Sequence, residues 1–218
     1  MQHQFWHQRW QQNQIGFHSA DIHTYLQTYW SSLAIAPNSR VLVPLCGKSN
    51  DMLWLLAQGY QVVGVELSPI AVEAFFSDNG LVPIVRQQGG YSISEVEGLQ
   101  IFCGDFFALT TSLLGKVDAV YDRAALVALP AEIRADYVAS LAELLEPQTQ
   151  MLVISFDYCQ ENMQGPPFSV NQQAIEQLYL PWCQINRLAS DNIVDKEPHF
   201  KTRGLDQVHE QVYRLTVV

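Results

Sequence analysis

Apolar runs alternate with helical patterns along most of the chain. The runs VLVPLC and QVVGVEL are nearly continuous in apolar residues, which is typical of strands covered on both faces, and LQIFC, VDAVY and QMLVISFDY are predicted as further strands. Residues 131–145 place several apolar side chains on one helical face: Ile133, Tyr137, Leu141, Leu144 and Leu145. Short connections between alternating strands and helices predict an α/β, doubly wound, mostly parallel sheet with helices on both faces.

Turn and cap residues add detail to this pattern. Gly89-Gly90 separates two β-rich pieces and predicts a hairpin-like excursion before the strand LQIFC. Ser169, with Gln172 three residues later, predicts a capping box at the start of a helix. The closing segment VHEQVYRLTVV predicts a last strand that is antiparallel to a partner just before it.

The chain has no internal repeat, low-complexity tract or linker, so we predict a single domain over residues 1–218. Residues 1–35 are interpreted as an N-terminal helical segment. Its apolar residues recur at helical spacing, and we interpret them as packing residues: Ile22, Leu26, Tyr29, Trp30 and Leu33.

Charge and composition exclude several classes of protein. The chain carries 12 basic and 22 acidic residues, a net charge of −10, which would repel a nucleic acid backbone. No apolar stretch approaches membrane-spanning length, and the polar, aromatic N-terminus lacks the apolar core of a signal peptide. We therefore expect a cytoplasmic protein without nucleic acid or membrane partners, and nothing in the sequence demands more than a monomer.

The cysteines and histidines fit the same compartment. The four cysteines are scattered without a C-x-x-C pair and are interpreted as reduced, partly buried thiols. His3 and His7 have the spacing of metal ligands on a helix, but no acidic or cysteine partner is near them in sequence. We interpret both as surface histidines and predict no metal site.

The first strand–helix loop and an acid after the second strand indicate a ligand. Gly47 lets the backbone pass close to a ligand, and Glu66 follows 19 residues later (66 − 47), a spacing that suits a carboxylate accepting hydrogen bonds from ribose hydroxyls. A dinucleotide would need the second and third glycines of G-x-G-x-x-G, which this loop lacks. The sparse loop therefore favours S-adenosylmethionine over NAD.

Two further strand ends carry candidate ligand residues. Asp105 could accept a hydrogen bond from an adenine amino group while Phe106 stacks on the ring, although Asp105 could equally be a helix cap. Arg123 offers a planar five-donor fork at the reactive end of the ligand. The alternative for Arg123 is a salt bridge to Asp122 or to a surface acid.

Several segments together are similar to one family. The segments FWHQRWQQNQIGFH, VLVPLCGKSNDMLWLLAQGYQVVGVELS, YDRAALVALP, GPPFSV and VYRLTVV resemble the thiopurine S-methyltransferase family, in particular its bacterial members, over essentially the whole chain. The resemblance implies a class I S-adenosylmethionine-dependent methyltransferase fold, Rossmann-like, with a seven-stranded sheet. It also implies that Trp10, Leu45, Glu66 and Arg123 contact the cofactor and that residues 1–35 cover the cofactor site.

The resemblance further implies an activity. Members of the family transfer a methyl group from S-adenosylmethionine to the sulfur of aromatic and heterocyclic thiols such as thiopurines, and bacterial members are associated with selenium and tellurium compounds. The product is S-adenosylhomocysteine. A basic residue near the C-terminus holds substrate in some relatives, and the candidates here are His199, Lys201 and Arg203. GPPF is interpreted as a substrate-side loop.

Methyl transfer from a sulfonium is an in-line displacement in which positioning supplies much of the rate. Because an aromatic thiol is acidic and the leaving group is a neutral thioether, we expect no requirement for a strong general base. Arg123 is predicted to orient cofactor or substrate and to stabilise negative charge on the incoming sulfur, and Asp122 to accept a proton through water. The alternatives are a small-molecule-binding detoxification module without methyl transfer and an NAD-dependent oxidoreductase.

Overall fold

A single mixed sheet is the centre of the fold. The structure is a computed structural model that describes residues 3–218, so the first two residues of the N-terminal segment predicted over residues 1–35 lie outside the described residues. Within residues 3–218, the sheet has nine strands: β1 (Arg40–Pro44), β2 (Gln61–Glu66), β3 (Ile84–Gln88), β4 (Tyr91–Val96), β5 (Leu99–Cys103), β6 (Ala119–Arg123), β7 (Gln150–Asp157), β8 (Cys183–Asn192) and β9 (His209–Val217).

Helices connect most of these strands. Those described are α1 (His3–Gln11), α2 (Thr24–Tyr29), α3 (Asp51–Ala57), α4 (Pro69–Asp78), α5 (Thr111–Leu114), α6 (Ala131–Leu144), α7 (Gln172–Tyr179) and α8 (Pro198–Thr202). The helical face predicted within residues 131–145 is confirmed, since α6 buries Tyr137, Leu141 and Leu144. No helix within the described range has both the length and the apolar composition needed to cross a bilayer.

The strand order is β3-β4-β5-β2-β1-β6-β7-β9-β8. Strands β5, β2, β1, β6 and β7 are parallel, and β9 lies antiparallel between β7 and β8. These are the seven strands expected of a class I methyltransferase, and the hairpin predicted at Gly89-Gly90 adds β3 and β4 at one edge. The chain runs outward from β1 on one side and then returns to β6 on the other, so a crevice forms between the carboxyl ends of β1 and β6.

Apolar side chains cover both faces of the sheet. On one face, Tyr137 and Ile175 of α6 and α7 pack in a core cluster with Val153 of β7. On the other face, Leu26 of α2 and Leu55 of α3 pack in a second cluster. The apolar stripe of the N-terminal segment is therefore a packing surface, as the sequence predicts.

One predicted helix start is wrong. Helix α7 is capped by Asn171, whose side-chain oxygen accepts a hydrogen bond from the Ala174 N–H at 3.0 Å. Ser169 instead accepts from the Tyr158 N–H at 3.1 Å, so its hydroxyl joins the loop to the end of β7. Gln172 is the first helical residue, not the third, and a capping box cannot form there.

Candidate active site

A cavity of about 1120 Å³ lies over the carboxyl ends of the central strands. It collects almost all of the site residues predicted from the sequence, which line one continuous wall: Trp10, Leu45, Gly47, Glu66, Asp105, Phe106 and Arg123. The rest of the lining includes the N-terminal segment, parts of α6 and β7, the loops that follow β6 and β7, and the chain between β8 and β9. The position at the strand ends is the one at which open α/β sheets bind ligands.

The loop after β1 has an unusual backbone at two positions. Leu45 and Gly47 have φ values of +47° and +53°, in the left-handed region. A side chain pays on the order of 1–3 kcal/mol for this conformation at Leu45, whereas glycine adopts it freely. A Cβ on Gly47 would lie 3.3 Å from Cζ2 of Trp10, so the indole ring rests against the bare backbone of the loop.

Glu66 ends β2 and is bonded to the same loop. One carboxylate oxygen accepts from the Gly47 N–H at 2.9 Å, and the other accepts from the Ser68 N–H at 2.7 Å. Burial raises the pKa of Glu66, while these backbone hydrogen bonds act in the opposite direction. Each carboxylate oxygen has a second lone pair, so Glu66 can still accept from a ligand that enters the cavity.

Asp105 and the two aromatic residues after it form another part of the wall. One oxygen of Asp105 accepts from the Phe107 N–H at 3.1 Å and caps a short 3₁₀ turn, while the other lies 3.4 Å from Nε2 of His3 on α1. The Phe106 ring is buried and packs on Tyr137 with 5.1 Å between centroids. Phe107 is the partly exposed ring of the pair, so it is better placed to stack on a ligand than the predicted Phe106.

Arg123 is held by an acid that the sequence pattern does not single out. Its Nη1 lies 3.6 Å from Oδ2 of Asp51, the first residue of α3, whose side chain is 1% exposed. Asp51 also accepts from the His23 backbone N–H at 2.8 Å and from the Tyr121 hydroxyl at 2.9 Å. Arg123 therefore does form an ion pair, but its partner is the buried Asp51 and neither Asp122 nor a surface acid.

Asp122 lies on the opposite face of the sheet from Arg123, because side chains alternate along β6. It is fully buried, and its two oxygens accept from the Leu126 N–H at 3.1 Å and the Tyr137 hydroxyl at 2.8 Å. Burial raises the pKa of Asp122 to about 6. This placement contradicts the predicted role of Asp122 as a proton acceptor through water and gives it a structural role in the loop after β6.

Aromatic rings from the N-terminal segment cover the cavity. Phe17 packs edge-on against both Trp6 and Trp10, with centroid separations of 5.7 and 5.6 Å. All three rings line the cavity. They give that side of the site an apolar, water-excluding surface.

Comparison with known proteins assigns the family. A family model described as thiopurine S-methyltransferase matches residues 1–218. The chain belongs to the thiopurine S-methyltransferase family. A thiopurine S-methyltransferase of Pseudomonas putida strain F1 is 47% identical over 216 residues, covering 99% of this chain and 100% of the relative. A thiopurine S-methyltransferase of Nitrosospira multiformis is 46% identical over 217 residues, covering 99% of this chain and 98% of the relative.

Solved structures with low identity share the fold. A Burkholderia thailandensis 1,6-didemethyltoxoflavin-N1-methyltransferase with bound S-adenosylhomocysteine gives a TM-score of 0.63 at 14% identity, covering 99% of this chain and 87% of that one. An S-adenosylmethionine-dependent methyltransferase from Methanosarcina mazei gives a TM-score of 0.63 at 13% identity, and the match covers 91% of this chain and 99% of that one. The predicted class I fold is confirmed, and family membership makes this chain an S-adenosylmethionine-dependent methyltransferase.

The C-terminal basic residues of this thiopurine S-methyltransferase family member divide into two groups. His199 and Arg203 line the cavity, and an Arg203 guanidinium N–H donates to the Pro166 carbonyl at 3.4 Å. Lys201 forms an ion pair with Asp195 instead. Pro166 and its neighbour in the GPPF segment also line the cavity, which agrees with the interpretation of that segment as a substrate-side loop.

The sequence prediction omits several ionisable cavity residues, among them His18, His23 and Glu210. Burial, followed by the charge of Lys48, lowers the pKa of His18, so its ring is neutral near pH 7. Nε2 of His23 forms a hydrogen bond with Glu210, which lies 187 residues later in the chain, so no local sequence motif could have indicated the pair. Within residues 3–218, no group of three or more His, Cys, Asp or Glu side chains is arranged to hold a metal ion.

Proposed function

We propose that this chain transfers the methyl group of S-adenosylmethionine to the sulfur of aromatic and heterocyclic thiols, thiopurines among them, and that selenium and tellurium compounds are further acceptors. The observation that carries the proposal is the convergence of Trp10, Gly47, Glu66 and Arg123 on one cavity. The relatives named thiopurine S-methyltransferase support the acceptor class. The cavity, at about 1120 Å³, exceeds the usual range for one small ligand and leaves space for an acceptor beside the donor.

The residues present fit the donor. Glu66 has carboxylate lone pairs left for two ribose hydroxyls, and Gly47 leaves the backbone of its loop open to the methionine tail. Leu45 contributes the left-handed turn that precedes this opening. Asp105 is proposed to accept from the adenine amino group, with the Phe106-Phe107 pair beside the ring. Residues 1–35 are proposed to cover the site through Trp10 and its aromatic neighbours.

The side chains that line the cavity are proposed to position the acceptor for attack on the methyl group of the donor. When bound, the donor supplies an electrophilic methyl on a sulfonium that leaves as a neutral thioether. Arg123, fixed by Asp51, is proposed to orient the acceptor and to favour the thiolate over the thiol. The rings of Trp6, Trp10 and Phe17 exclude water from the reacting atoms. His199 and Arg203, which also line the cavity, are proposed to contact the acceptor.

Two measurements test the function. Calorimetry with S-adenosylhomocysteine should give saturable binding, and a labelled-methyl assay should give turnover on thiophenol and on a thiopurine. A panel of selenium and tellurium acceptors with the same sample then defines the acceptor range. Binding of S-adenosylhomocysteine without turnover on any acceptor would instead support the small-molecule-binding module.

We further propose that the protein acts in the cytoplasm as a monomer. Its four cysteines are free thiols, which suits a reducing compartment: Cys46, Cys103, Cys159 and Cys183. Sedimentation of the purified protein tests the oligomeric state directly.

Substitution of Gly47 by alanine should weaken S-adenosylhomocysteine binding about tenfold. The new Cβ meets Trp10, and a side chain at φ of +53° costs about 1–2 kcal/mol. Gly59→Ala is the matched control, because Gly59 has φ of +86° with nothing within 4 Å of a new Cβ. Both variants should lower the Tm, but only Gly47→Ala should change the dissociation constant in calorimetry. Equal binding by both variants would contradict the proposed loop contact.

Substitution of Asp122 by asparagine should leave methyl transfer within about threefold of wild type, because Asp122 faces away from the cavity. Its pKa of about 6 lies above the value of 3.8 for a free side chain, so the folded state binds the extra proton between these values. Wild-type stability from this group is therefore present below pH 4 and is lost as pH rises through 6. In thermal unfolding at several pH values, the Tm of Asp122→Asn relative to wild type should therefore rise as the pH increases from about 4 to above 6. A hundredfold loss of turnover in a folded Asp122→Asn protein would restore its catalytic role.

A further inference from the structure

The closing strand places a second ionisable side chain on the same sheet face as Arg123. Arg123 pairs with Ile154 on β7, and Ile154 pairs with Val212 on β9. Glu210 is two residues from Val212 and therefore points to the same face. Two strand spacings separate β6 from β9 and two residues separate Glu210 from Val212, so the backbones of Arg123 and Glu210 are about 12 Å apart. Both side chains line the cavity.

Glu210 has one oxygen occupied and one available. The side chain is 12% exposed, and Oε1 lies 3.1 Å from Nε2 of His23. Among residues 3–218, no hydrogen bond is formed by Oε2 of Glu210. A carboxylate oxygen without a protein partner, on the wall of a ligand cavity, can accept a hydrogen bond from a ligand N–H.

The hydrogen bonds of His23 set the tautomer of its ring beside Glu210. Its Nδ1 accepts a hydrogen bond from the Tyr25 backbone N–H at 3.3 Å, so the ring proton lies on Nε2 and is donated to Glu210. The His23 backbone N–H is donated to Asp51, which also contacts Arg123. His23 therefore contacts Glu210 through its ring and, through its backbone and Asp51, is linked to Arg123.

The other ionisable groups around Glu210 are already paired. Across β8, Asp191 is opposite Glu210 in the sheet and accepts from the Tyr25 hydroxyl. Asp51 accepts from the Tyr121 hydroxyl. Both oxygens of Asp51 are used and Asp191 does not line the cavity, so within this group Glu210 is the carboxylate with an oxygen left for the ligand.

Building on the proposed function, we propose that Glu210, positioned by His23, accepts the ring N–H proton of heterocyclic acceptors that enter as thiones. In a thione, the nitrogen next to the C=S group carries the proton. Transfer of that proton to the Glu210 carboxylate leaves the N–H electron pair to form C=N, and the C=S π pair moves to sulfur. The sulfur then bonds to the methyl carbon as the bond from that carbon to the sulfonium sulfur breaks. The proton on Glu210 returns to water after product release.

This assignment makes Glu210 specific for one class of acceptor. A thiol that is already a thiolate has no N–H proton to lose and gains nothing from a carboxylate. A thione reacts slowly until its proton is removed, and a positioned base typically contributes 10²–10⁴-fold. Arg123 then meets the negative charge at the sulfur end while Glu210 takes the proton at the nitrogen end.

The test compares two acceptors in one variant. The acceptors are 2-mercaptopyridine, which is mainly the thione in water, and 4-nitrothiophenol, which is a thiolate at neutral pH. Glu210→Gln should lower kcat with the thione by about 100-fold, with little change in KM, and should leave the thiolate within about threefold. Asp136→Asn is the matched control, because Asp136 lines the same cavity but is exposed on α6.

The His23 variants supply a second, independent measurement. His23→Ala should lower kcat with the thione and leave the thiolate nearly unchanged, and His23→Gln, which keeps a donor to Glu210, should restore the thione rate. Equal losses on both acceptors, or an unchanged thione rate in Glu210→Gln, would overturn the assignment. If wild type methylated neither acceptor, the proposed function itself would be wrong.

Discussion

Replacing Glu66 by glutamine should weaken binding of S-adenosylhomocysteine about 100-fold. The carboxylate is buried at the end of β2, and hydrogen bonds to a charged acceptor contribute about 1.5–3 kcal/mol each. Glutamine keeps the size of the side chain, but its amide group must face either a backbone N–H or the ribose. Calorimetry at pH 7.5 measures the loss directly.

The surface residue Glu73 on α4 provides the control for this experiment, since Glu73→Gln changes the same charge away from the cavity. The pH dependence gives a further check. Because burial raises the pKa of Glu66, acidification removes its charge at a higher pH than for a free glutamate. Wild-type affinity should therefore fall as pH is lowered, whereas Glu66→Gln should bind weakly at every pH. Retention of full affinity in Glu66→Gln would remove the proposed ribose contact.

The sequence predicts the central strands well because burial on both faces requires continuous apolar runs, as in β1 and β2. Strand β8 lacks such a run because most of its residues are partly or fully exposed at the sheet edge. Its existence follows only from the need of β9 for an antiparallel partner. Strand β3 is exposed along its whole length, and only Gly89-Gly90 indicates it.

Site residues are predictable where one position relative to a strand determines the role. Gly47, Glu66 and Arg123 all follow or end buried strands, and all reach the cavity. Asp122 and Phe106 show the limit of that reasoning. Asp122 alternates to the face away from the cavity, and Phe106 touches the cavity but packs most of its ring in the core against Tyr137.

Contacts that span the whole chain have no local sequence signal. The Asp51 partner of Arg123 looks like an ordinary residue in the first turn of a helix, where acids are common. Glu210 looks like an exposed position in an alternating strand. Only the sheet order brings β9 beside β7 and the His23 segment over both. Arg123 and Glu210 are therefore positioned by contacts between segments far apart in sequence, which depend on the order of the strands in the sheet.

Replacing Arg123 by alanine should lower turnover of thiophenol by about 10²–10³-fold at saturating donor, assayed at about pH 6, where thiophenol in water is mainly the neutral thiol. A thiolate attacking a sulfonium loses its charge as the bond forms, so Arg123 cannot act mainly on the transition state. Its effect lies earlier, in lowering the pKa of the bound thiol and in aligning the sulfur. The loss should consequently be smaller for 4-nitrothiophenol, which ionises without help.

Loss of stability must be separated from loss of catalysis, because Arg123→Ala leaves the buried Asp51 carboxylate without its cation. The double variant Arg123→Ala/Asp51→Asn removes that charge and should recover much of the Tm while turnover stays low. Arg123→Lys keeps the charge but not the planar fork and should give intermediate turnover. Unchanged kinetics in a stable Arg123→Ala protein would exclude Arg123 from the reaction, whereas turnover restored by the double variant would make its contribution purely structural.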